Sequence, residues 1–152
     1  MLHGTTLRVR WGSATHVGRV RDHNEDSLIA DGMVFAVADG MGGHAAGEVA
    51  SRITVAALAT LVDHPPASTE AVAEVLREAN RGILQSQVDS PDQRGMGTTV
   101  AGLTVVDGAP DGVADDVSRL VVATGRVRGA TLDADYDVLQ SVLETLVVGG
   151  AG

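Results

Sequence analysis

The sequence predicts an α+β domain, and three observations predict it. Apolar residues alternate with polar ones or run together around an Asp-Gly pair in the first forty residues. Two later stretches repeat apolar residues at three- and four-residue spacing, and β-branched runs follow them. With 152 residues, 44% of them hydrophobic, the chain fits one domain with a real core. One Trp, one Tyr and one Phe make that core aliphatic, and 19 glycines, well above the usual ~7%, imply many tight turns or close backbone approaches.

Taken in order, Leu7, Val9 and Trp11 alternate with Arg8 and Arg10, the pattern of a half-buried strand over residues 7–15. A polar window over residues 19–27 leads into Leu28 and Ile29, which can pair with residues 34–38 across the turn at Asp31-Gly32. That second strand runs into Asp39, Gly40 and a glycine loop ending at His44; strand ends of this kind often carry sites. From Gly47 the period changes. Val49, Ile53, Ala56, Ala57 and Leu61 share a helical face until His64-Pro65-Pro66 stops the run. Ser68 or Thr69 can cap a second helix with Val72, Leu76, Ala79 and Ile83 as its buried stripe, ending before Ser90-Pro91. Residues 98–106 and 118–123 read as strands joined by an acidic loop. Asp133 can cap a final helix carrying Tyr136, Leu139, Val142, Leu143 and Leu146 on one face, before Gly149 and Gly150.

Twenty acidic against eleven basic residues, all eleven of them Arg, give a formal charge of −9. That balance argues against sequence-independent binding of nucleic acid or of an anionic membrane surface, both of which need clustered cations. The absence of cysteine excludes disulfides, thiolate catalysis and Cys-based zinc sites. No stretch has the length of a membrane span, and residues 1–10 lack a charged-then-apolar leader, so a cytoplasmic protein starting at Met1 is the expectation.

The residues with chemical potential gather in two places. Arg21, Asn24, Glu25 and Asp26 fall in one polar window, and Asp39-Gly40 stands thirteen residues after Asp26, at the end of an apolar strand. If a hairpin intervenes, both ends return to the same point. Carboxylates converging there, beside a glycine carbonyl that can be approached closely, make an oxygen-rich site suited to Mg²⁺ or Mn²⁺. A nearby Arg21 can hold phosphate by a two-pronged hydrogen bond.

The ordered string over residues 19–51 closely resembles the N-terminal core of the bacterial PPM, or type 2C, metal-dependent protein serine/threonine phosphatases. The agreement includes Arg21 with Asn24-Glu25-Asp26, VADGMGGH ending at His44, and the glycine and helix that follow. RGMGTTVAGL, from Arg94, and LVVA, from Leu120, are similar to the family's next strands. The resemblance implies a PPM-type α/β/β/α sandwich in which Asp39 bridges two divalent metals. It also implies that the Gly40 carbonyl completes one of them, that Glu25 supports that metal directly or through water, and that Arg21 binds phosphate. A water between the cations then attacks phosphorus in line. Asn24 and Asp26 are expected to support these groups. His44 is expected to fix its loop, because the related eukaryotic pattern has its His directly after the Asp-Gly pair, where this chain has Met41.

The similarity stops near Ala123. The family continues with a GDSR-type turn and, further on, with SDG- and DN-type aspartates that hold the second metal; this chain has Thr124-Gly125-Arg126-Val127-Arg128 and neither later motif. The expected division is therefore a partial phosphatase domain over residues 1–123 and a divergent tail over 124–152. The sandwich is incomplete, with one helical layer and part of two sheets, and at most one Mn²⁺ or Mg²⁺ is well held. The expected function is metal-dependent hydrolysis of phosphoserine and phosphothreonine in phosphoproteins, such as the products of a serine/threonine kinase, weak or lost in this chain. The alternative is a non-catalytic relic that binds metal or phosphopeptides.

Overall fold

The computed structural model describes residues 10–43, 45–106, 119–128 and 145–147. It opens with a hairpin, β1 (Asp26–Asp31) and β2 (Val34–Met41), whose register pairs Asp31 with Val34 and Asp26 with Asp39. The two-residue turn works because Gly32 takes φ +55, a conformation that other residues adopt with strain, while Asp31 Oδ1 accepts from its N–H at 2.7 Å.

Two helices follow, α1 (Ala46–Asp63) and α2 (Thr69–Asp89). The first stops at His64, which the next residue, Pro65, holds out of helical geometry (φ −131, ψ 80). Ser68 caps the second, its hydroxyl accepting from the Ala71 N–H at 3.2 Å. A 3₁₀ turn at Pro91–Gln93 leads to β3 (Gly97–Val106), and β4 (Arg119–Arg128) and β5 (Thr145–Val147) complete one antiparallel sheet in the order β1-β2-β3-β4-β5.

Both helices feed one core against a single face of this sheet. Val34, Ala36, Val100 and Val106 from the strands meet Leu58, Leu61, Val72 and Leu76 from the helices. A second cluster, Ala46, Ala50, Ile83 and Met96, closes the end of the layer nearest the glycine loop. Along β2, burial alternates residue by residue: Val34, Ala36, Ala38 and Gly40 are buried, whereas Val37, Asp39 and Met41 are exposed on the other face.

Three expectations are corrected. Residues 10–15 form no strand; Trp11 is anchored by its side chain, donating to the Ala30 carbonyl at 2.8 Å and meeting Phe35 edge-on at 5.3 Å. Period-two alternation says which side chains share a face but cannot supply a ladder partner. Leu146, expected on the last helix, lies in β5 opposite Leu120, where the open edge of β4 takes up β-forming residues; residues 133–144 of that helix lie outside the described residues. Finally, the described strands share one sheet, where parts of two were expected, because every strand from β1 to β4 finds its partner in the next. β4 itself runs unbroken past Ala123 to Arg128.

Candidate metal and phosphate site

The hairpin register brings the two acidic stretches together. Asp26 opens β1 directly opposite Asp39 near the end of β2, and the Glu25 carbonyl accepts from the Gly40 N–H at 3.1 Å. A separation of thirteen residues in sequence becomes adjacency between neighbouring strands.

Glycine makes this end of the hairpin possible. A Cβ on Gly40 would stand 2.1 Å from the Gly47 carbonyl oxygen and 2.6 Å from the Glu25 carbonyl oxygen; one on Gly47 would stand 2.9 Å from the Gly40 carbonyl carbon and 3.1 Å from the Glu25 carboxyl carbon. The first turn of α1 therefore presses backbone to backbone on the site, with no side chain between. A half-buried hydroxyl pair reinforces the contact: the Ser27 and Ser51 hydroxyl oxygens lie 2.9 Å apart, and Ser51 also donates to the Glu48 carbonyl at 3.2 Å.

On its other side Asp39 is fixed by β3. The fully buried Thr98 donates to the Asp39 carbonyl at 2.9 Å, with the Thr99 carbonyl as an alternative acceptor at the same distance. Sequence reading missed Thr98 as a support of the site. The available signal was the Gly-Thr-Thr run at the start of the strand, where a small β-branched hydroxyl residue can bond to the neighbouring backbone.

The electrostatics are those of crowded acids. The Asp26 carboxyl is raised above its ordinary range, first by loss of hydration, next by the negative charge of Asp39 and by a hydrogen bond in which protonated Asp26 donates to it; Arg21 offsets part of the rise. Arg21 Nη1 lies 3.6 Å from Glu25 Oε2, with the arginine side chain 75% exposed and the glutamate 16%. Asn24 orders the connecting turn, accepting from the Asp26 N–H at 3.1 Å and donating to Thr15 Oγ1 at 2.7 Å. His44 lies outside the described residues.

The residues named from the sequence thus gather at one end of the sheet, with the Asp39 and Glu25 side chains and the buried Gly40 backbone flanked by Asp26 and Arg21. These are hard oxygen donors of the kind Mn²⁺ and Mg²⁺ take, and the missing Cβ of Gly40 makes room for the Gly47 backbone of α1. Among the described residues, no group of three or more His, Cys, Asp or Glu side chains could hold a metal ion. In register, Arg126 of β4 stands opposite Thr99, which itself stands opposite Asp39.

No protein-family profile matches the chain. Among curated proteins, it is 44% identical over 100 residues to the serine/threonine protein phosphatase PstP of Mycobacterium tuberculosis, covering 64% of this chain and 20% of PstP. It is 33% identical over 137 residues to the serine/threonine phosphatase stp of Listeria innocua, covering 80% of this chain and 49% of that protein. The crystal structure of the PstP catalytic domain in complex with two manganese ions superposes with a TM-score of 0.58 at 39% identity, covering 71% of this chain and 44% of that one. A second structure of the M. tuberculosis phosphatase gives a TM-score of 0.61 at 32% identity, covering 76% and 51%. The chain therefore spans between a fifth and a half of the length of these relatives.

Proposed function

We propose that this chain, which carries a partial PPM-type serine/threonine phosphatase domain, holds one Mn²⁺ or Mg²⁺ at Asp39, Glu25 and the Gly40 carbonyl and directs Arg21 at the phosphate of a phosphoserine or phosphothreonine. The observation that carries the reading is the hairpin register. By pairing Asp26 with Asp39 and Glu25 with Gly40, it unites the two stretches whose residues carry the resemblance to the phosphatases. A bound cation would supply charge stabilisation for a phosphoryl oxygen and a more acidic water. Asp39 would orient it from a rigid strand end, its carbonyl held by Thr98, while Glu25 and the Gly40 carbonyl close the opposite side. Arg21 would grip two phosphate oxygens and set the phosphorus in line.

Turnover by this chain is proposed to be weak. Among the described residues no group of three or more His, Cys, Asp or Glu side chains could hold a metal ion, and the sequence lacks the SDG- and DN-type aspartates. Losing one catalytic metal removes several kcal/mol of charge stabilisation, and each ~1.4 kcal/mol is a factor of ten in rate. The same observation favours a second reading, in which the chain binds metal or phosphopeptides without hydrolysing them. Phosphoproteins, including products of serine/threonine kinases, are the proposed ligands under both readings, and the cytoplasm is the proposed compartment. No helix among the described residues is long and apolar enough to cross a membrane.

Titration calorimetry with Mn²⁺ tests the site. One weak binding event is expected, absent in Asp39→Ala; equal uptake by the two proteins refutes the assignment. Manganese-dependent release of phosphate from a phosphothreonine peptide then separates the readings. Slow turnover abolished by Asp39→Ala supports a hydrolase, and none supports a binder.

A further inference from the structure

We propose that Arg21 and the cation are alternative partners of the Glu25 carboxylate, so that filling the metal site releases Arg21 to phosphate. The inference rests on the reading of Asp39, Glu25 and Gly40 as the cation site and of Arg21 as the phosphate ligand.

Glu25 is confined while Arg21 is not. The glutamate side chain is 16% exposed, its backbone carbonyl is tied to the Gly40 N–H at 3.1 Å, and its carboxyl carbon lies 3.1 Å from where a Cβ on Gly47 would stand. The first turn of α1 thus walls off one side of the carboxylate and keeps it beside the Gly40 backbone. Arg21, 75% exposed at the lip of the site, has Glu25 as its ion-pair partner at 3.6 Å among the described residues. One carboxylate charge then faces two cationic claimants. A divalent ion seated against Glu25, Asp39 and Gly40 neutralises that charge and repels the guanidinium, which has water on its other side. Phosphate is the ligand that satisfies a guanidinium freed next to a cation, since it can accept from Arg21 on two oxygens.

The coupling runs both ways. A cation improves phosphate binding by vacating Arg21, and phosphate improves cation binding by drawing Arg21 off Glu25, by the same factor. Charge alone thus makes each ligand favour the other and discourages phosphate capture by the metal-free chain.

A double-mutant cycle tests the idea. Mn²⁺ alone is titrated into the parent, Arg21→Ala, Glu25→Gln and the double variant. Because an exposed ion pair is weak, Arg21→Ala is expected to tighten Mn²⁺ binding only about three-fold in the parent, and clearly less in Glu25→Gln. Equal changes in both backgrounds overturn the proposal. The second arm uses inorganic phosphate with a chelator present. Glu25→Gln is expected to bind phosphate roughly three-fold more tightly than the parent, a gain lost when Arg21→Ala is added; unchanged affinity in Glu25→Gln overturns the proposal. Asp39→Ala taking up Mn²⁺ like the parent refutes the cation site itself, and the chelator arm, which uses no metal, still decides whether Glu25 holds Arg21.

Discussion

Beneath the helices, β2 presents Val34, Ala36, Ala38 and Gly40, all buried; on the opposite face the same strand presents Phe35, Val37, Asp39 and Met41, with Val37 52% exposed. The covered face is a packing surface, filled by aliphatic side chains from α1 and α2. The uncovered face carries the carboxylates at one end and Trp11 against Phe35 toward the other. One strand therefore divides two tasks between alternate residues. The two tasks meet at Gly40, a covered-face position whose backbone belongs to the site and whose missing side chain lets α1 reach it. Stability and site geometry are linked at that residue pair and separable elsewhere.

The largest contrast between the faces is expected from truncation. Ile83 of α2, fully buried in the layer that covers the sheet, should cost about 2–5 kcal/mol as Ile83→Ala, whereas Val37→Ala on the uncovered face should stay within about 0.5 kcal/mol. Urea unfolding of the two variants measures the difference, and similar losses would erase the distinction between the faces. Gly47→Ala probes the point where they meet. Its new methyl group would push on the Gly40 and Met41 backbone and on the Glu25 carboxyl, so a loss of about 1–3 kcal/mol is expected together with weaker Mn²⁺ uptake. A loss of stability with unaltered uptake would separate the helix contact from the site.

A smaller effect tests the acids themselves. Because the folded chain raises Asp26, it retains a proton there that the unfolded chain has released. The contribution of this group is therefore most favourable in acid and declines as pH rises from 3.8 through the raised value. Asp26→Asn should accordingly raise the melting temperature of the metal-free protein near neutral pH, with the gain over the parent vanishing in acid below that window. Melting curves across pH check the sign.

Much of this architecture was legible in the chain. The hairpin turn, the stop at His64-Pro65-Pro66 and the Ser68 cap are local devices whose chemistry acts over a few residues; the structure places the stop and the cap where the sequence puts them and centres the turn on Gly32 and Met33, one residue beyond the expected Asp31-Gly32. The apolar stripe of α2, Val72, Leu76, Ala79 and Ile83, is equally local and is buried as expected. On α1 the expected face is corrected: of Val49, Ile53, Ala56, Ala57 and Leu61 only Leu61 is buried and Ala56 is exposed, because the sheet and α2 select the neighbouring face of Ala46, Ala50, Thr54 and Leu58. Arg21, Glu25, Asp26, Asp39 and Gly40 were identifiable as a group because a hairpin with a known turn fixes its own register.

What depended on distant partners was not legible. Alternation over residues 7–15 suggested a strand, yet whether a ladder forms depends on a free neighbour, and Trp11 instead spends its N–H on the Ala30 carbonyl. Leu146 fits a helical stripe and a strand equally well, and the open edge of β4 decided between them. Thr98 became a support of Asp39 only once β3, more than fifty residues downstream, was laid beside β2. The same holds for the contact of Gly47 with Gly40. The sequence determined, by itself, the hairpin turn, the helix stops and cap and the buried face of α2, because these follow from neighbours in the chain. Tertiary structure alone decided edge pairing, the backbone contact between helix and strand, and the confinement of Glu25, because each depends on which surfaces remain unfilled after the local elements have formed.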